Sequence, residues 1–234
     1  MTLGRENPLL GGRQSKGVVR VGNTVRRVPG NNAEYVRSLL THLQSAEFSG
    51  APRWLGVDEQ GRDILTFIKG EVGHGDATNV SDARLMSSGR LLRRFHDATA
   101  GSHLAQGCEV VAHSDLGPDN TVFRGDDAVG LIDWDEAEPG TRLIDFAHAV
   151  WCFVPVGEEG GPLDQQGRRI RLLCDSYGWE NPDDVIDEIE QRLRRAAAQH
   201  SAAGRDKAVA IFNDLVVWLK SHEDEIRRHA QRPL

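Results

Sequence analysis

The 234-residue sequence has few cysteines and no long apolar run. Its three cysteines, Cys108, Cys152 and Cys174, form no Cys-x-x-Cys pair, which argues against a disulfide framework or a structural zinc site and favours a reducing compartment. No apolar stretch approaches the roughly 18 residues that span a bilayer, and the first residues contain no apolar signal segment. We therefore expect a cytoplasmic protein with no membrane partner.

A basic stripe is also missing. The net charge is −7 and is uneven: residues 1–70 hold ten Lys and Arg against six Asp and Glu, whereas residues 71–234 hold 18 against 29. Most of these charges can simply belong to solvated faces. Alternatively, a basic lobe faces nucleotide phosphates and an acidic lobe favours a cationic substrate. An acidic chain without a basic stripe predicts that nucleic acid is not a partner.

Residues 1–70 predict short strands around one helix. The turn pair Gly22-Asn23 lies between two β-rich runs and is typical of a hairpin. The apolar residues of 33–47 recur at helical spacing after a possible cap at Asn32. The simplest assembly is a five-stranded antiparallel sheet with one helix, its strands falling near residues 8–10, 17–22, 24–28, 53–57 and 64–68.

From residue 71 onwards the pattern becomes mainly helical. A Gly-rich connector covers residues 69–80. Helical periodicity then predicts an α+β chain with an N-terminal lobe over 1–70 and a helical C-terminal lobe over 71–234. The predicted helices cover about 81–100, 141–153, 163–177, 182–200 and 204–230.

The most informative segment lies between His113 and Asp133. A polar loop that carries Asp115 and Asn120 leads into a short apolar strand, and a tight turn and a second strand deliver Asp133. Two strands joined by a tight turn bring their outer ends side by side, so these three side chains should converge. Two carboxylates and an amide oxygen form a site suited to Mg²⁺, with one carboxylate left as a base. The segment therefore predicts a phosphoryl-transfer centre.

Four segments resemble the aminoglycoside phosphotransferase-like family, which includes choline and homoserine kinase relatives and has a bilobal protein-kinase-like fold. The loop His113-Ser114-Asp115 with Asn120 is similar to the family's catalytic loop, and Ile132-Asp133-Trp134-Asp135 to its metal motif. The segments 91–98 and 139–147 are similar to those that flank these motifs. The resemblance runs from about residue 9 to 155 and fades in the C-terminal helices.

The resemblance implies a role for each matched residue. Asp115 would accept or orient the proton of the acceptor hydroxyl, and Asn120 and Asp133 would hold Mg²⁺ between the phosphates. His113 would support the loop by hydrogen bonding rather than act as an acid or base. Asp145 would brace the loop through backbone hydrogen bonds.

Three residues are candidates for contact with the acceptor. Asp135 could bind a second metal or the substrate, or it could cap the following turn. Glu158 and Glu159 could meet an amine-bearing substrate. We expect a small-molecule hydroxyl acceptor and a monomer or homodimer.

The nucleotide side departs from the family pattern. A Gly-rich turn that includes Gly12 and Ser15 could cover phosphates, although a plain hairpin explains it as well. Where the family carries a strand lysine, this chain has two arginines, and strand alternation favours Arg27 as the phosphate ligand. Its ion-pair partner would be Glu34, or alternatively Glu47.

The backbone at Phe67 and Ile68 would meet the nucleobase. The predicted activity is transfer of the γ-phosphoryl group of ATP or GTP, with Mg²⁺, to a hydroxyl of a small molecule. The alternatives are a nucleotide-binding regulatory protein that has lost catalysis, favoured by the arginine exchange, and a metal-dependent hydrolase, in which a two-lobed organisation would have no role.

Overall fold

The computed structural model describes residues 5–9, 17–73, 77 and 80–233. Its N-terminal part is an antiparallel sheet of five strands in the order β1-β2-β3-β5-β4, with one helix, as the sequence predicted. Helix α1 buries its apolar stripe of Val36, Leu39, Leu40 and Leu43. The elements are β1 (Asn7–Pro8), β2 (Val19–Val21), β3 (Thr24–Arg27), α1 (Ala33–Ser45), β4 (Trp54–Val57) and β5 (Asp63–Thr66).

A three-stranded sheet connects this part to the remainder of the chain. Its strands are β6 (Glu71–Val72), β8 (Thr121–Arg124) and β9 (Asp127–Leu131), paired in the order β6-β8-β9. Gly70 precedes β6 with φ at +158°, and a Cβ there would lie 2.5 Å from the Phe123 carbonyl oxygen, so only glycine fits. The β8–β9 hairpin is the one that the motif segment predicted.

A second small sheet pairs β7 (Val110–Ala112) with β10 (Glu138–Gly140). The sequence did not predict β6, β7 or β10, because strands of two or three residues give too little alternation to detect. The β7–β10 pair fixes the two ends of the motif segment beside each other, since Ala112 and Glu138 are directly paired.

The rest of the chain is helical, close to the predicted bounds. Ser81 caps the first of these helices by accepting from the Arg84 amide, and Thr141 caps the second by accepting from the Ile144 amide. Among the described residues, no helix combines the length and apolarity that a membrane crossing requires. The helices are α2 (Asp82–Thr99), α3 (Arg142–Phe153), α4 (Leu163–Tyr177), α5 (Pro182–Ala202) and α6 (Asp206–Ala230).

The core lies between these helices and the underside of the motif segment. Phe95 of α2 is fully buried and contacts Trp134 with ring centroids 4.9 Å apart. Trp134 in turn contacts the His113 ring at 4.7 Å. Buried aromatic rings therefore pack against one side of the motif segment. The opposite side, which carries Asp115, faces solvent.

Candidate active site

Asp115 and Asn120 are brought together by a short turn after β7. The Asn120 side-chain amide donates to the Asp115 carbonyl oxygen at 2.7 Å and to its carboxylate at 2.9 Å. The Asn120 carbonyl accepts from the Ile132 amide at 3.0 Å, and Ile132 immediately precedes Asp133. Hydrogen bonds thus join Asn120 to Asp115 and to the residue before Asp133, which brings the three predicted residues close together.

Backbone strain marks both arms of this segment. Ser114 and Asp133 each have φ at +64°, in the left-handed region that residues with a Cβ seldom adopt. Such conformations persist where the surrounding structure imposes them and are common at functional sites. Here each strained residue lies at the end of a strand-to-loop transition that positions a carboxylate.

Three carboxylates share this small volume. Burial raises the pKa of the Asp133 carboxyl above its usual range; Arg27 opposes that rise, and the nearby carboxylates of Asp135 and Asp115 add to it. The site is therefore short of positive charge. A divalent cation at Asn120 and Asp133 would supply it through oxygen ligands, so the residues fit Mg²⁺.

The described residues contain no cluster of three or more His, Cys, Asp or Glu side chains arranged to hold an ion. Mg²⁺ in phosphoryl-transfer sites commonly takes only one or two protein carboxylates and completes its shell with water and phosphate oxygens. An amide and one carboxylate are thus a sufficient protein contribution.

Arg27 is the cation that the site does contain. Its guanidinium donates to the Asp135 carboxylate and lies 3.8 Å from an Asp133 oxygen. The neighbouring Arg26 turns the other way and lies 3.7 Å from Asp58, as strand alternation requires. Arg27 is therefore the inward arginine, the choice that the sequence favoured.

The expected ion pair between Arg27 and Glu34 is wrong. Glu34 is exposed on α1, and Glu47 lies beyond the end of that helix with φ at +56°. The chain after β3 instead runs over the motif segment. This path is shown by Gly30, where an added Cβ would lie 3.0 Å from the Asp135 carboxyl carbon. That path brings Arg27 to Asp135 and leaves Glu34 in solvent.

The Asp135 carboxylate pairs with Arg27, and among the described residues no backbone amide of the following turn donates to it, so the turn cap is not formed. Contact of Asp135 with a second metal or with the substrate stays a prediction. Glu158 and Glu159 lie exposed in a short 3-10 turn and form no hydrogen bond or ion pair with another described residue. The structure does not bring these two glutamates into contact with Asp115.

His113 lies beneath the loop and is fully buried. Its Nε2 donates to the Ile132 carbonyl oxygen at 3.1 Å, and burial lowers its pKa even though Asp145 and Asp115 act in the opposite direction. A neutral ring that joins the two arms of the motif fits the supporting role expected of it. It is not placed to exchange a proton with solvent.

Asp145 holds the loop from the start of α3. Its carboxylate accepts from the His113 amide at 2.9 Å, the Ser114 amide at 2.8 Å and His96 Nε2 at 2.9 Å. Burial acts to raise its pKa, but His96 and these donors outweigh burial and lower it to about 2. The backbone contacts expected of Asp145 are thus present.

Sequence reasoning missed His96 and Tyr177, which complete this network. His96 is fully buried in α2, and its Nδ1 lies 2.7 Å from the Tyr177 hydroxyl of α4. A signal was available, since His96 lies four residues after Leu92 on the apolar face of its helix. A polar ring on that face needs buried partners.

The segment after β5 is the one that the sequence predicted to meet the nucleobase. The Phe67 amide donates to the Asn23 carbonyl at 2.9 Å, and the Arg20 guanidinium lies 3.9 Å from the Phe67 ring centroid. The Phe67 carbonyl and the Ile68 amide bond to no other described residue. The two groups belong to one trans peptide and point in opposite directions, so only one of them can face a given base edge. Gly12 and Ser15, the predicted phosphate-covering residues, lie outside the described residues.

Comparisons with known proteins agree with this geometry. The phosphotransferase enzyme family (APH) matches residues 100–181. The trifolitoxin immunity protein of Rhizobium leguminosarum bv. trifolii is 36% identical over 226 residues, which cover 86% of this chain and 83% of that protein.

Solved structures share the fold. The gentamicin complex of APH(2")-IIa has a TM-score of 0.65 at 13% identity and covers 93% of this chain and 92% of its own. A choline/ethanolamine kinase family protein from Mesorhizobium loti has a TM-score of 0.55 at 15% identity, with 97% and 92% covered. Others with this fold were solved with ADP, ATP or GDP. The α+β, protein-kinase-like fold expected from the sequence is confirmed.

Proposed function

Since this chain belongs to the aminoglycoside phosphotransferase-like family of small-molecule kinases, we propose that it transfers the γ-phosphoryl group of ATP or GTP to a hydroxyl of a small, amine-bearing molecule. Residues 1–70 bind the nucleotide, and residues 71–234 supply the catalytic loop and the acceptor site. The observation that carries the proposal is the connected set Asp115–Asn120–Ile132–Asp133, which fixes a base and a metal ligand relative to each other.

Asp115 is the group that receives the acceptor's proton. Its carboxylate is exposed at the rim of the loop, and Asn120 holds it at 2.9 Å. Most of the transition-state charge in phosphoryl transfer rests on phosphate oxygens, so positioning matters more than proton removal. Asp115 therefore orients the hydroxyl in line with the γ-phosphorus and then accepts its proton.

Asn120 and Asp133 are the residues that would hold Mg²⁺. Bound there, Mg²⁺ would neutralise charge on the phosphate oxygens. Arg27 is the remaining cation, and its planar fork suits bidentate contact with phosphate. Backbone groups of the segment that contains Phe67 and Ile68 contact the nucleobase.

The test measures nucleotide turnover with each of several hydroxyl acceptors, in the presence of Mg²⁺ and then of EDTA. Amino sugars, choline-like amines and nucleosides form the panel, with ATP and GTP compared. Asp115→Asn should lower the turnover number about 10²- to 10⁴-fold, the range typical of a general base, while nucleotide binding persists. Asp127→Asn, at an exposed carboxylate in the first residue of β9, is the matched control and should leave turnover unchanged.

Phosphoryl transfer that is equal in Asp115→Asn and the unaltered protein would contradict the proposal. Nucleotide binding without transfer to any member of the panel would favour the regulatory alternative.

A second candidate is protection against a toxin. It is favoured by the 36% identity to the trifolitoxin immunity protein over 86% of this chain. The test expresses the chain in a trifolitoxin-sensitive strain. Protection that Asp115→Asn abolishes indicates phosphorylation of the toxin or its target, whereas protection that survives the substitution indicates binding alone.

A further inference from the structure

Arg192 of α5 is held rigidly against α3. Its Nε donates to His148 Nδ1 at 2.8 Å, and its guanidinium carbon lies 4.6 Å from the Trp151 ring centroid. The hydrogen bond and the aromatic face fix the plane of the guanidinium on two sides. Its two terminal nitrogens are left as an ordered fork of donors.

That fork has no acidic partner. No carboxylate among the described residues forms an ion pair with Arg192, and its terminal nitrogens form no hydrogen bond with any of them. Its neighbours on α5 are paired, Arg194 with Glu190 and Arg195 with Glu188. Burial lowers the pKa of Arg192, which shows that the site partly desolvates a charge that it does not neutralise.

His148 leaves a second donor unused. It is 8% exposed, and its Nε2 is buried without a partner among the described residues. Because Nδ1 accepts from Arg192, the neutral ring carries its hydrogen on Nε2. The cluster of Arg192, His148 and Trp151 therefore has spare donors and no spare acceptor, which is the complement of an anionic group.

The cluster lies beside the catalytic loop. Cys152 follows Trp151 in α3, and a Cβ on Gly117 would lie 3.1 Å from Cys152 Cβ. Gly117 is two residues beyond Asp115. The Asp115 carboxylate acts electrostatically on both Arg192 and Cys152, so the fork and the proposed base share one region.

We propose that Arg192 binds a carboxylate of the acceptor, so that the substrate is a hydroxy acid or hydroxy amino acid rather than a molecule that carries only amines. The inference rests on the proposed function and defines its substrate class. A planar guanidinium matches a carboxylate in two parallel hydrogen bonds, and such charge-assisted pairs fix orientation as well as affinity.

The test uses pairs of probes that differ only in charge: 4-hydroxybutyrate with its amide, and L-serine with L-serinamide. Binding is measured by calorimetry on an Asp115→Asn background, which separates binding from transfer. Each carboxylate should bind more tightly than its amide. Arg192→Gln should weaken carboxylate binding about 10- to 100-fold and leave the amide unchanged, as expected for a lost charge-assisted pair.

Arg194→Gln is the matched control on the same helix and should change neither probe. Arg192→Lys keeps the charge but loses the planar fork of donors. Its affinity for the carboxylate probes should fall between that of Arg192→Gln and that of the parent. Thermal unfolding of each variant establishes that it is folded. If Arg192→Gln does not fold, the difference between Arg192→Lys and the parent decides the result.

On the active protein, Arg192→Gln should raise the KM for the carboxylate probes and change kcat much less. Equal binding of a carboxylate and its amide, unchanged carboxylate binding in Arg192→Gln, or no binding of either carboxylate would overturn the inference. The two proposals fail separately. Carboxylate binding through Arg192 without Asp115-dependent transfer overturns only the proposed kinase activity, and Asp115-dependent transfer to purely cationic acceptors overturns only the role of Arg192.

Discussion

The Arg27 guanidinium donates to the Asp135 carboxylate across 108 residues of sequence. The same group lies 3.8 Å from Asp133, which we propose as a metal ligand. Among the residues that the structure describes, the cation that contacts these carboxylates is thus the one proposed to bind phosphate. Arg27 would move from carboxylate to phosphate oxygens as the nucleotide and metal enter.

Replacement of Arg27 tests this relationship. Arg27→Ala should raise the KM for ATP about 10- to 100-fold, because a charge-assisted contact to phosphate is lost. Arg27→Lys should recover part of the loss, since a point charge replaces the fork. The measurement is steady-state kinetics at saturating Mg²⁺.

Arg26→Ala provides the control, because Arg26 is on the same strand and pairs with Asp58 on the opposite face. A KM for ATP that stays unchanged in Arg27→Ala would show that Arg27 serves only to neutralise Asp135.

Replacement of Asn120 tests the proposed metal site. Asn120→Ala removes an oxygen ligand and the hydrogen bonds that hold Asp115. The Mg²⁺ concentration for half-maximal activity should rise at least about 10-fold, because losing a group that binds or orients at a metal site typically weakens metal binding by about that factor. Saturating Mg²⁺ should restore only part of kcat, because Asp115 remains loosened.

Asn181→Ala is the companion substitution. Asn181 caps α5 by accepting from the Asp183 amide, so its loss should lower stability by about 1 kcal/mol without a change in the Mg²⁺ requirement. An Mg²⁺ requirement that is the same in both variants would argue against Asn120 as a ligand.

Burial of His148 should make the free energy of unfolding sensitive to acid. Burial and then Arg192 lower its pKa from 6.5 to about 4, with Asp145 and His113 acting more weakly. Below pH 6.5 the unfolded chain takes up a proton that the folded protein excludes, so stability falls as the pH drops from 6.5 to 4 and this contribution levels off below 4. The full loss is about 3 kcal/mol.

His148→Asn keeps an acceptor for Arg192 and cannot titrate. Its free energy of unfolding, measured by denaturant titration at several pH values, should therefore fall less between pH 6.5 and 4 than that of the unaltered protein. His103→Asn, at an exposed position, should leave the slope unchanged. Equal slopes in the protein and in His148→Asn would contradict the buried, neutral state of this ring.

Local patterns predicted much of the fold and part of the site. The helices were predictable because each carries its own apolar stripe, and Asp115, Asn120 and Asp133 were predictable because one hairpin connects them. Such features depend on residues that are close in sequence.

The contacts that could not be predicted join distant segments. Arg27 with Asp135 depends on how the β3–α1 connection crosses the motif, and His96 with Asp145 depends on how α2 and α3 pack. The wrong choice of Glu34 has the same origin, since helical periodicity places Glu34 on a face but does not say where that face lies relative to Arg27. Strand and helix periods give orientation within an element and not the distance between elements.

Packing between α4 and α6 gives a last prediction, which concerns stability alone. Gly167 of α4 lies against α6, where an added Cβ would be 2.5 Å from the Ile226 carbonyl oxygen and 2.6 Å from His229 Cβ. Alanine normally stabilises a helix relative to glycine by about 1 kcal/mol. The contact with backbone cannot be relieved by a rotamer change, so the helices must separate. Gly167→Ala should therefore lower the free energy of unfolding by about 1–3 kcal/mol.

The control is Gln165→Ala, at an exposed position of the same helix. Its free energy of unfolding should stay within about 0.5 kcal/mol of that of the unaltered protein. Denaturant titration measures the free energy of unfolding of the two variants and the unaltered protein. A Gly167→Ala protein that is more stable than its parent would mean that α4 and α6 are not in close contact at this position.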